Sequence, residues 1–179
     1  MAVIAETKRL IIREITTDRT DLDGIFALYE DPRMTEFMDP LFPYEEEAEY
    51  EKNYVERIYP YYGYGLWLLI EKGTDDIIGR AGIEYREGCE KNEGELGFQV
   101  RFDRQREGFA YEAVSKIIEL GFETFSFDSL RARISPKNLP SIALAKKLGL
   151  RPTNTFEKDS KGSFDEIYRL YRSEKGGSF

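Results

Sequence analysis

The most informative turn in this chain reads Gln105-Arg106-Glu107-Gly108-Phe109-Ala110. It lies between an apolar run from Gly94 to Phe102, which predicts a strand, and a helical pattern that begins at about Gly108. A helix that opens directly out of a turn leaves several backbone N–H groups without intrahelical acceptors. Those donors and the positive end of the helix dipole attract phosphate groups. The turn therefore predicts a site for a phosphate-bearing cofactor, although a glycine near a helix start also occurs for purely conformational reasons.

The length and composition are typical of one globular domain. The chain has 179 residues, of which 41% are hydrophobic and 14% aromatic, and this is enough to bury a substantial core. We expect a single domain over residues 1–179, with a structured core over residues 7–172 and a loose tail over residues 173–179. No apolar run approaches the ~20 residues of a membrane span, and the N-terminus shows no signal-peptide pattern. We expect no membrane partner.

The chain contains one cysteine, Cys89, and no histidine. A single cysteine cannot form an internal disulfide, which favours a reducing, cytoplasmic compartment. Its acidic, loop-like surroundings indicate an incidental thiol rather than a nucleophile. The absence of histidine excludes Ser-His-Asp and Cys-His catalysis and the common zinc sites, so we expect no metal. Any general base must then be a carboxylate, a tyrosine, a lysine or a water molecule held by one of them.

The formal net charge of −8 is unevenly distributed. Residues 101–151 carry ten Lys and Arg against six Asp and Glu, whereas the remainder of the chain is strongly acidic. An anionic ligand on the basic segment and a cationic substrate near the acidic remainder both suit this division, and so does a simple segregation of solvated helix faces. Nucleic acid is a poor candidate partner for so acidic a chain.

Hydrophobic periodicity divides the chain into strands and helices, with no internal repeat and no long linker. The predicted strands are Thr7 to Ile15, Tyr64 to Glu71, Ile77 to Tyr85, Gly94 to Phe102, Leu130 to Ser135, Arg151 to Glu157 and Phe164 to Tyr171. The predicted helices run from Thr20 or Asp21 to Tyr29, from Tyr44 to Ile58, from Gly108 onward and from Pro140 to Leu148. This order predicts an α/β (α+β) protein in which a mixed sheet carries helices on its faces.

Three segments at matching distances resemble the GNAT N-acetyltransferases. They are the Gln-x-x-Gly-x-Ala turn from Gln105 to Ala110, the sequence Asn138-Leu139-Pro140-Ser141, and the sequence Lys147-Leu148-Gly149-Leu150. The opening Thr7 to Arg13 and the sequence Glu95-Leu96-Gly97-Phe98 are most similar to the RimJ/RimL-type branch, the ribosomal-protein N-terminal acetyltransferases. The resemblance extends over residues 7–172. It implies a mixed, mostly antiparallel sheet of about seven strands with helices on both faces.

The resemblance implies acetyl-CoA as the cofactor. In such enzymes the turn that begins at Gln105 binds the diphosphate, here through the backbone amides of Arg106, Glu107, Gly108, Phe109 and Ala110. A side chain at Gly108 would obstruct the approach of phosphate oxygens to the backbone.

Further cofactor contacts are implied on either side of this turn in the sequence. The strand residues Phe98, Gln99 and Val100 would offer backbone groups to the pantetheine arm, and the N–H of Val100 or its neighbour would stabilise the oxyanion. Asn138 would hydrogen-bond the cofactor and Ser141 would contact it, although both residues also suit a plain helix entry. Arg104 and Arg106 would add positive charge near the turn, unless they are simply solvated.

Acetyl transfer requires a neutral amine, whereas most amines are protonated at pH 7, so a base must remove a proton. The resemblance implies Glu95 as this base or as a residue that orients the acceptor. The alternative is a strand residue without a catalytic role, and Glu84 is the reserve candidate. Many relatives carry a tyrosine that protonates the leaving thiolate where this chain has Ala145. The acid would then be Ser141, a water molecule or no group at all.

Two hypotheses of different class follow from the resemblance. The first is an acetyl-CoA-dependent N-acetyltransferase whose acceptor amine, a protein N-terminus or a small amine, attacks directly through a tetrahedral intermediate. The aromatic segment Tyr59 to Tyr64 and the loop Met34 to Phe42 would flank this acceptor. The second is a non-catalytic acyl-CoA-binding module of the same fold. Dimers are common among such relatives, so a homodimer is a further expectation.

Overall fold

The computed structural model of this chain describes residues 2–159 and 161–174. Its strands are Val3–Glu6 (β1), Leu10–Arg13 (β2), Leu66–Glu71 (β3), Ile77–Glu84 (β4), Glu93–Val100 (β5), Ser129–Ile134 (β6), Arg151–Lys158 (β7) and Phe164–Tyr171 (β8). Its α-helices are Arg19–Ala27 (α1), Tyr44–Asn53 (α2), Tyr59–Tyr62 (α3), Phe109–Glu123 (α4) and Leu139–Lys147 (α5). Short 3-10 turns cover Pro32–Glu36, Phe102–Arg104 and Arg172–Glu174, and a π-helical turn covers Tyr54–Ile58.

The strands form one mostly antiparallel sheet in the order β1-β2-β3-β4-β5-β6-β8-β7. β5 and β6 pair in parallel, with Glu95 opposite Arg131, whereas β6 and β8 pair antiparallel. The mixed α/β sheet predicted from the element order is therefore confirmed, with eight strands in the described residues instead of about seven. The strand that the sequence did not predict is β1, which is only four residues long and too short to show a pattern of alternating polarity.

The chain divides into two compact units, Met1–Gly82 with Phe98–Ala113, and Ile83–Gly97 with Val114–Phe179. Each unit has its own buried apolar side chains. In the first unit these include Leu10, Ile12, Ile25, Trp67 and Leu69. In the second unit they include Ile83, Ile117, Leu130, Ala145 and Ile167. The single domain expected over residues 1–179 stays a prediction.

The loose tail expected over residues 173–179 stays a prediction, and only its first two residues are described. Ser173 and Glu174 belong to the 3-10 turn Arg172–Glu174, and the Glu174 Oε1 atom lies 3.3 Å from Nη1 of Arg151. An ion pair between two segments that the sequence separates by more than twenty residues leaves no local signal. Residues 175–179 lie outside the described residues.

The helix predicted from Tyr44 to Ile58 is α-helical only to Asn53 and continues as the π-helical turn. Its buried residues include two glutamates, Glu47 and Glu51, and Tyr54 of the π-helical turn is buried as well. For Glu51 the reason is a buried cation, because Nη1 of Arg80, on β4, lies 2.7 Å from its Oε1 atom, whereas Glu47 accepts a hydrogen bond from the backbone N–H of Phe42 at 2.9 Å. A carboxylate can be buried when an opposite charge is buried beside it.

The first helix begins at Arg19, before the predicted start at Thr20 or Asp21. The N-cap position of α1 is Asp18, and Asp21 lies in the first turn with only 3% of its surface exposed. Its carboxylate oxygens lie 2.5 and 2.7 Å from the two terminal nitrogens of Arg13, and they also accept hydrogen bonds from the backbone N–H and hydroxyl of Thr16. This carboxylate therefore joins α1 to the end of β2.

Substitution of Asp21 by Asn should lower the free energy of unfolding by about 2 kcal/mol at pH 7. Burial raises the pKa of Asp21, but the bonds from Arg13 and Thr16 outweigh it, so the net direction is downward. A lowered pKa gives stability that is present above the ordinary aspartate pKa and is lost as the pH falls through the folded-state value. Urea unfolding at pH 7 and at about pH 3 measures whether the difference between the two proteins shrinks in acid.

The matched control for this experiment is Asp23→Asn on the same helix. The Asp23 side chain is half exposed, and its ion pair with Arg19 spans 3.6 Å on the surface. We expect this variant to change stability by less than about 0.5 kcal/mol. Equal losses for the two variants would contradict the buried role of Asp21.

Candidate functional site

The turn from Gln105 to Ala110 lies between the 3-10 turn Phe102–Arg104 and α4. Arg106 and Gly108 both adopt positive φ angles, 67° and 86°. Gln105 closes the turn, because its side-chain Nε2 donates to the carbonyl of Val100 at 3.0 Å. The chain thereby reverses from the end of β5 into the first turn of α4.

The start of α4 carries a run of unused backbone donors. Within the described residues, the N–H groups of Arg106 to Ala110 have no hydrogen-bond acceptor, and the first bond that closes onto the turn runs from Glu112 N to Gly108 O at 3.0 Å. Arg106, Glu107 and Gly108 are exposed. The five donors lie at the positive end of a helix of 15 residues, which is the arrangement that binds phosphate groups.

Gly108 is required by its backbone conformation rather than by lack of space. Its φ of +86° lies in the left-handed region, where a Cβ costs about 1–2 kcal/mol. A Cβ built there would lie 3.5 Å from Nη2 of Arg9, which is an ordinary contact. The obstruction of phosphate oxygens by a side chain at this position stays a prediction.

Arg9 contacts this turn from a distant part of the chain, and the sequence assigned it no role. Its Nη1 donates to the carbonyl of Glu107 at 3.0 Å, and its guanidinium carbon lies 4.1 Å from the centre of the Phe109 ring. Nε of Arg9 lies 2.8 Å from Oε2 of Glu112, whose other oxygen accepts from the Arg9 backbone N–H and the Thr7 hydroxyl. The Thr7 to Arg13 segment was quoted for the resemblance, but nothing local in it indicates a contact almost one hundred residues away.

The two arginines expected to add charge near the turn differ in their surroundings. Arg104 forms an ion pair with Glu71 and lies 5.2 Å from the centre of the Phe109 ring, so its charge is already used within the protein. Arg106 is exposed. Of the two, Arg106 is the residue whose surroundings suit the neutralisation of an anion.

The strand residues predicted to meet the pantetheine arm lie at the end of β5. Gln99 and Val100 are buried and Phe98 is half-buried. The Gln99 side chain accepts a bond from the Tyr29 hydroxyl at 3.0 Å. The N–H of Arg101, the neighbour of Val100, donates to the Ile78 carbonyl at 2.8 Å, so this neighbour is not available as the oxyanion donor and Val100 remains the candidate.

In the second unit, Asn138 caps α5. Its side-chain oxygen accepts from the backbone N–H of Ser141 at 3.2 Å, so the helix-entry interpretation of Asn138 is confirmed. Both residues are half-buried. Ala145, in the position where relatives carry tyrosine, is 1% exposed and has no proton to give. Contacts of Asn138 and Ser141 with a cofactor stay predictions.

Glu95, the predicted base, lies on β5 with 9% of its surface exposed. Its Oε2 atom is 2.8 Å from Nη2 of Arg131. Burial raises the pKa of Glu95, and the charges of Arg131 and Arg133 oppose this shift without reversing it. A raised pKa moves a carboxylate toward the range that suits a base near neutral pH. The reserve candidate Glu84 is ion-paired with Arg86 at 2.8 Å.

Other features of the molecule contain none of the predicted cofactor or catalytic residues. A depression of about 390 Å³ in the first unit is lined by Thr17, Arg19, Leu22, Tyr44 and Glu45. No cluster of three or more His, Cys, Asp or Glu side chains within residues 2–159 and 161–174 is arranged to hold a metal ion. Among the helices described, none is long and apolar enough to span a bilayer.

Comparison with known proteins assigns the family. Residues 9–151 match the model of the GNAT acetyltransferase domain, and the chain belongs to this family. It is 27% identical over 168 residues to the uncharacterized N-acetyltransferase p20 of Bacillus licheniformis, which covers 90% of this chain and 91% of that protein. Family membership supports acetyl transfer in general, and it supports the use of acetyl-CoA.

Solved structures of low sequence identity share the fold. A GNAT-family acetyltransferase from Bacillus anthracis superimposes with a TM-score of 0.78 at 20% identity and covers 94% of this chain and 98% of that one. RimL, an α-N-protein acetyltransferase of ribosomal L7/L12, superimposes with a TM-score of 0.79 at 12% identity over 97% and 99% of the two chains. That RimL structure was solved in complex with coenzyme A.

The pairing of Arg9 with Glu112 should stabilise the turn by a measurable coupling. We expect Arg9→Met and Glu112→Gln each to lower the free energy of unfolding, and the double variant to lose about 1 kcal/mol less than the sum of the two. Denaturant unfolding of the four proteins measures this cycle. Strict additivity would show that the contacts between these residues add no stability.

Proposed function

We propose that this protein is an N-acetyltransferase that transfers the acetyl group of acetyl-CoA to a primary amine. One observation carries the proposal: the five successive backbone N–H groups of Arg106 to Ala110 have no acceptor among the described residues and lie at the start of α4. Family membership supports the same reading of this turn. Acetyl-CoA supplies an activated thioester when it is bound, and the residues of the chain bind, orient and move protons.

The turn holds the diphosphate in this proposal. The N–H groups of Arg106, Glu107, Gly108, Phe109 and Ala110 donate to its oxygens, and the helix dipole favours its charge. Gln105 fixes the turn through its bond to the Val100 carbonyl. The backbone of Phe98, Gln99 and Val100 accepts the pantetheine arm, and Asn138 and Ser141 contact the cofactor, as the resemblance implies.

Glu95 takes the proton from the acceptor amine. Its burial raises its pKa, so that its carboxylate binds a proton more readily than an exposed glutamate does. The N–H of Val100 stabilises the negative charge that develops on the acetyl oxygen. Ser141 is the weaker candidate for the acid, and water serves equally well because a thiolate is a tolerable leaving group near neutral pH.

The acceptor is a protein N-terminus or a small cationic amine. The excess of acidic residues outside positions 101–151 favours a cationic substrate. The resemblance to the RimJ/RimL-type branch, with the RimL likeness in fold, supports an N-terminal acceptor. A cytoplasmic location, suggested by the single cysteine, and a homodimer belong to the same proposal.

The variant Gly108→Leu should weaken acetyl-CoA binding at least tenfold, because a side chain over the turn obstructs its N–H donors. Isothermal titration of the wild type and the variant with acetyl-CoA measures the change. Gly73→Leu is the matched control, since Gly73 also has a positive φ of 96° and no atom lies within 4 Å of its added Cβ. This control carries the same backbone strain and should bind acetyl-CoA normally. Unchanged affinity in Gly108→Leu would refute the assignment of the turn.

The variant Glu95→Gln should lower kcat/KM for the acceptor by about 100-fold while acetyl-CoA affinity stays unchanged, because it removes the base and not the cofactor site. A thiol-release assay with a panel of peptides, polyamines and amino acids measures turnover. If acetyl-CoA binds but no acceptor releases thiol in the wild type, the protein is a binding module. If acetyl-CoA does not bind, both hypotheses fail.

A further inference from the structure

One buried guanidinium, that of Arg131, joins three strands of the second unit. Arg131 lies on β6 with 1% of its surface exposed. Its Nη2 is 2.8 Å from Oε2 of Glu95 on β5, and its Nη1 is 2.6 Å from Oε1 of Glu157 on β7. A single cation is thus shared between the candidate base and a second carboxylate.

The position of this guanidinium is fixed independently of Glu95. Nη1 of Arg131 donates to the carbonyl of Gly88 at 3.0 Å, and Nη2 donates to the carbonyl of Glu87 at 3.3 Å. Glu157 accepts bonds from both terminal nitrogens, at 2.6 and 3.2 Å. Arg131 is therefore anchored by the loop after β4 and by β7, and it presents a fixed positive charge to Glu95.

The contact between Arg131 and Glu95 is a close ion pair, with 2.8 Å between Nη2 and Oε2. A carboxylate has two oxygens and about four lone-pair sites, so a contact from one guanidinium nitrogen leaves Glu95 the capacity to accept a proton. This is what a general base requires.

We propose that Arg131 is a positioning residue that fixes the Glu95 carboxylate and sets its proton affinity, and that Glu157 tunes this effect by sharing the guanidinium. The inference rests on the proposed function, in which Glu95 is the base. If the inference holds, the Arg131–Glu157 pair sets the pH above which Glu95 is deprotonated and the enzyme is active. Arg131 acts through its contact with Glu95, and Glu157 acts through its contact with Arg131.

The surroundings of Glu95 fix the sign of the effect. Burial raises the pKa of Glu95, and the charge of Arg131 is the largest influence that lowers it. Removing the guanidinium should raise the pKa further, whereas removing the competing Glu157 carboxylate should lower it. The other charged and titratable groups that act on Glu95 or share its surroundings are Arg133 on β6, Arg86 and Cys89 in the loop after β4, and Glu93 on β5 itself.

Two variants with opposite expected shifts test the inference. For Arg131→Met we expect the Glu95 pKa to rise by about one unit or more, and for Glu157→Gln we expect it to fall. Carbon-detected NMR titration of ¹³C-labelled glutamate carboxyls, with the Glu95 signal assigned from Glu95→Gln, measures the pKa directly. The acidic limb of kcat/KM against pH should move in the same two directions, because a base must be deprotonated to act.

Ionisation of the acceptor amine cannot explain a difference in the acidic limb of kcat/KM between variants, since the pKa of the free amine is the same in every assay. Arg131→Lys keeps the positive charge, so the acidic limb of its kcat/KM profile should lie closer to that of the wild type than the limb of Arg131→Met does. Glu90→Gln is the matched control, because Glu90 forms an ion pair with Arg169 at 2.9 Å and is more than half exposed. Glu90→Gln should leave the acidic limb of kcat/KM at its wild-type pH.

Opposite shifts in both measurements support the inference. Shifts of the same sign, no shift in the NMR pKa, or an NMR shift that leaves the limb unmoved would overturn it, and so would an acidic limb that survives in Glu95→Gln. If Arg131→Met does not fold, the pKa shift measured in Glu157→Gln tests the inference alone. We expect this variant to fold, because the Glu157 side chain is half-buried and lies on an edge strand. A wild-type protein that releases no thiol refutes the proposed function instead, and the NMR titration still decides whether Arg131 controls the pKa of Glu95.

Discussion

Burying a charge in a protein is costly unless an opposite charge or hydrogen-bond donors lie beside it, and much of this molecule depends on that constraint. Arg80 is buried with Glu51 in the first unit, and in the second unit the buried Arg131 pairs with the buried Glu95 and the half-buried Glu157. In each case the arginine stands on a strand and the carboxylate comes from another element. These pairs fix how the elements meet within each unit, because breaking one would leave an uncompensated ion in an apolar surrounding. In the second unit the same constraint places the candidate base.

The turn from Gln105 to Ala110 depends on a different free-energy cost, that of backbone strain. Two residues, Arg106 and Gly108, adopt positive φ angles where the chain passes from the 3-10 turn Phe102–Arg104 into α4. The strain is offset by the bond from Gln105 to the Val100 carbonyl and by the contacts of Arg9 with Glu107 and Glu112. The result is a turn whose backbone N–H groups from Arg106 to Ala110 have no acceptors among the described residues. A turn that is already ordered loses less conformational entropy on binding a ligand, which favours the affinity for the proposed anion.

Much of the fold was accessible from the sequence. The hairpin of β3 and β4, the pair β7 and β8, and α4 were predicted to within a few residues, because each has a regular apolar period and a clear turn or cap at its ends. The turn at Gln105 was located for the same reason. Residues outside such local patterns were missed. Arg9 reaches the turn across 98 residues of sequence, and α2 buries glutamates that any hydrophobicity pattern assigns to solvent.

The sequence by itself determined the mixed sheet, which follows from local periodicity. The resemblance of its motifs indicated the family and the place of the proposed cofactor turn. It also named Glu95, but only as one carboxylate among many. Only the tertiary structure decided that Glu95 is buried, that Arg131 is its counter-charge, and that Glu157 shares that charge. The physical reason is that the proton affinity of a group depends on what surrounds it in space, and its neighbours here come from strands far apart along the chain.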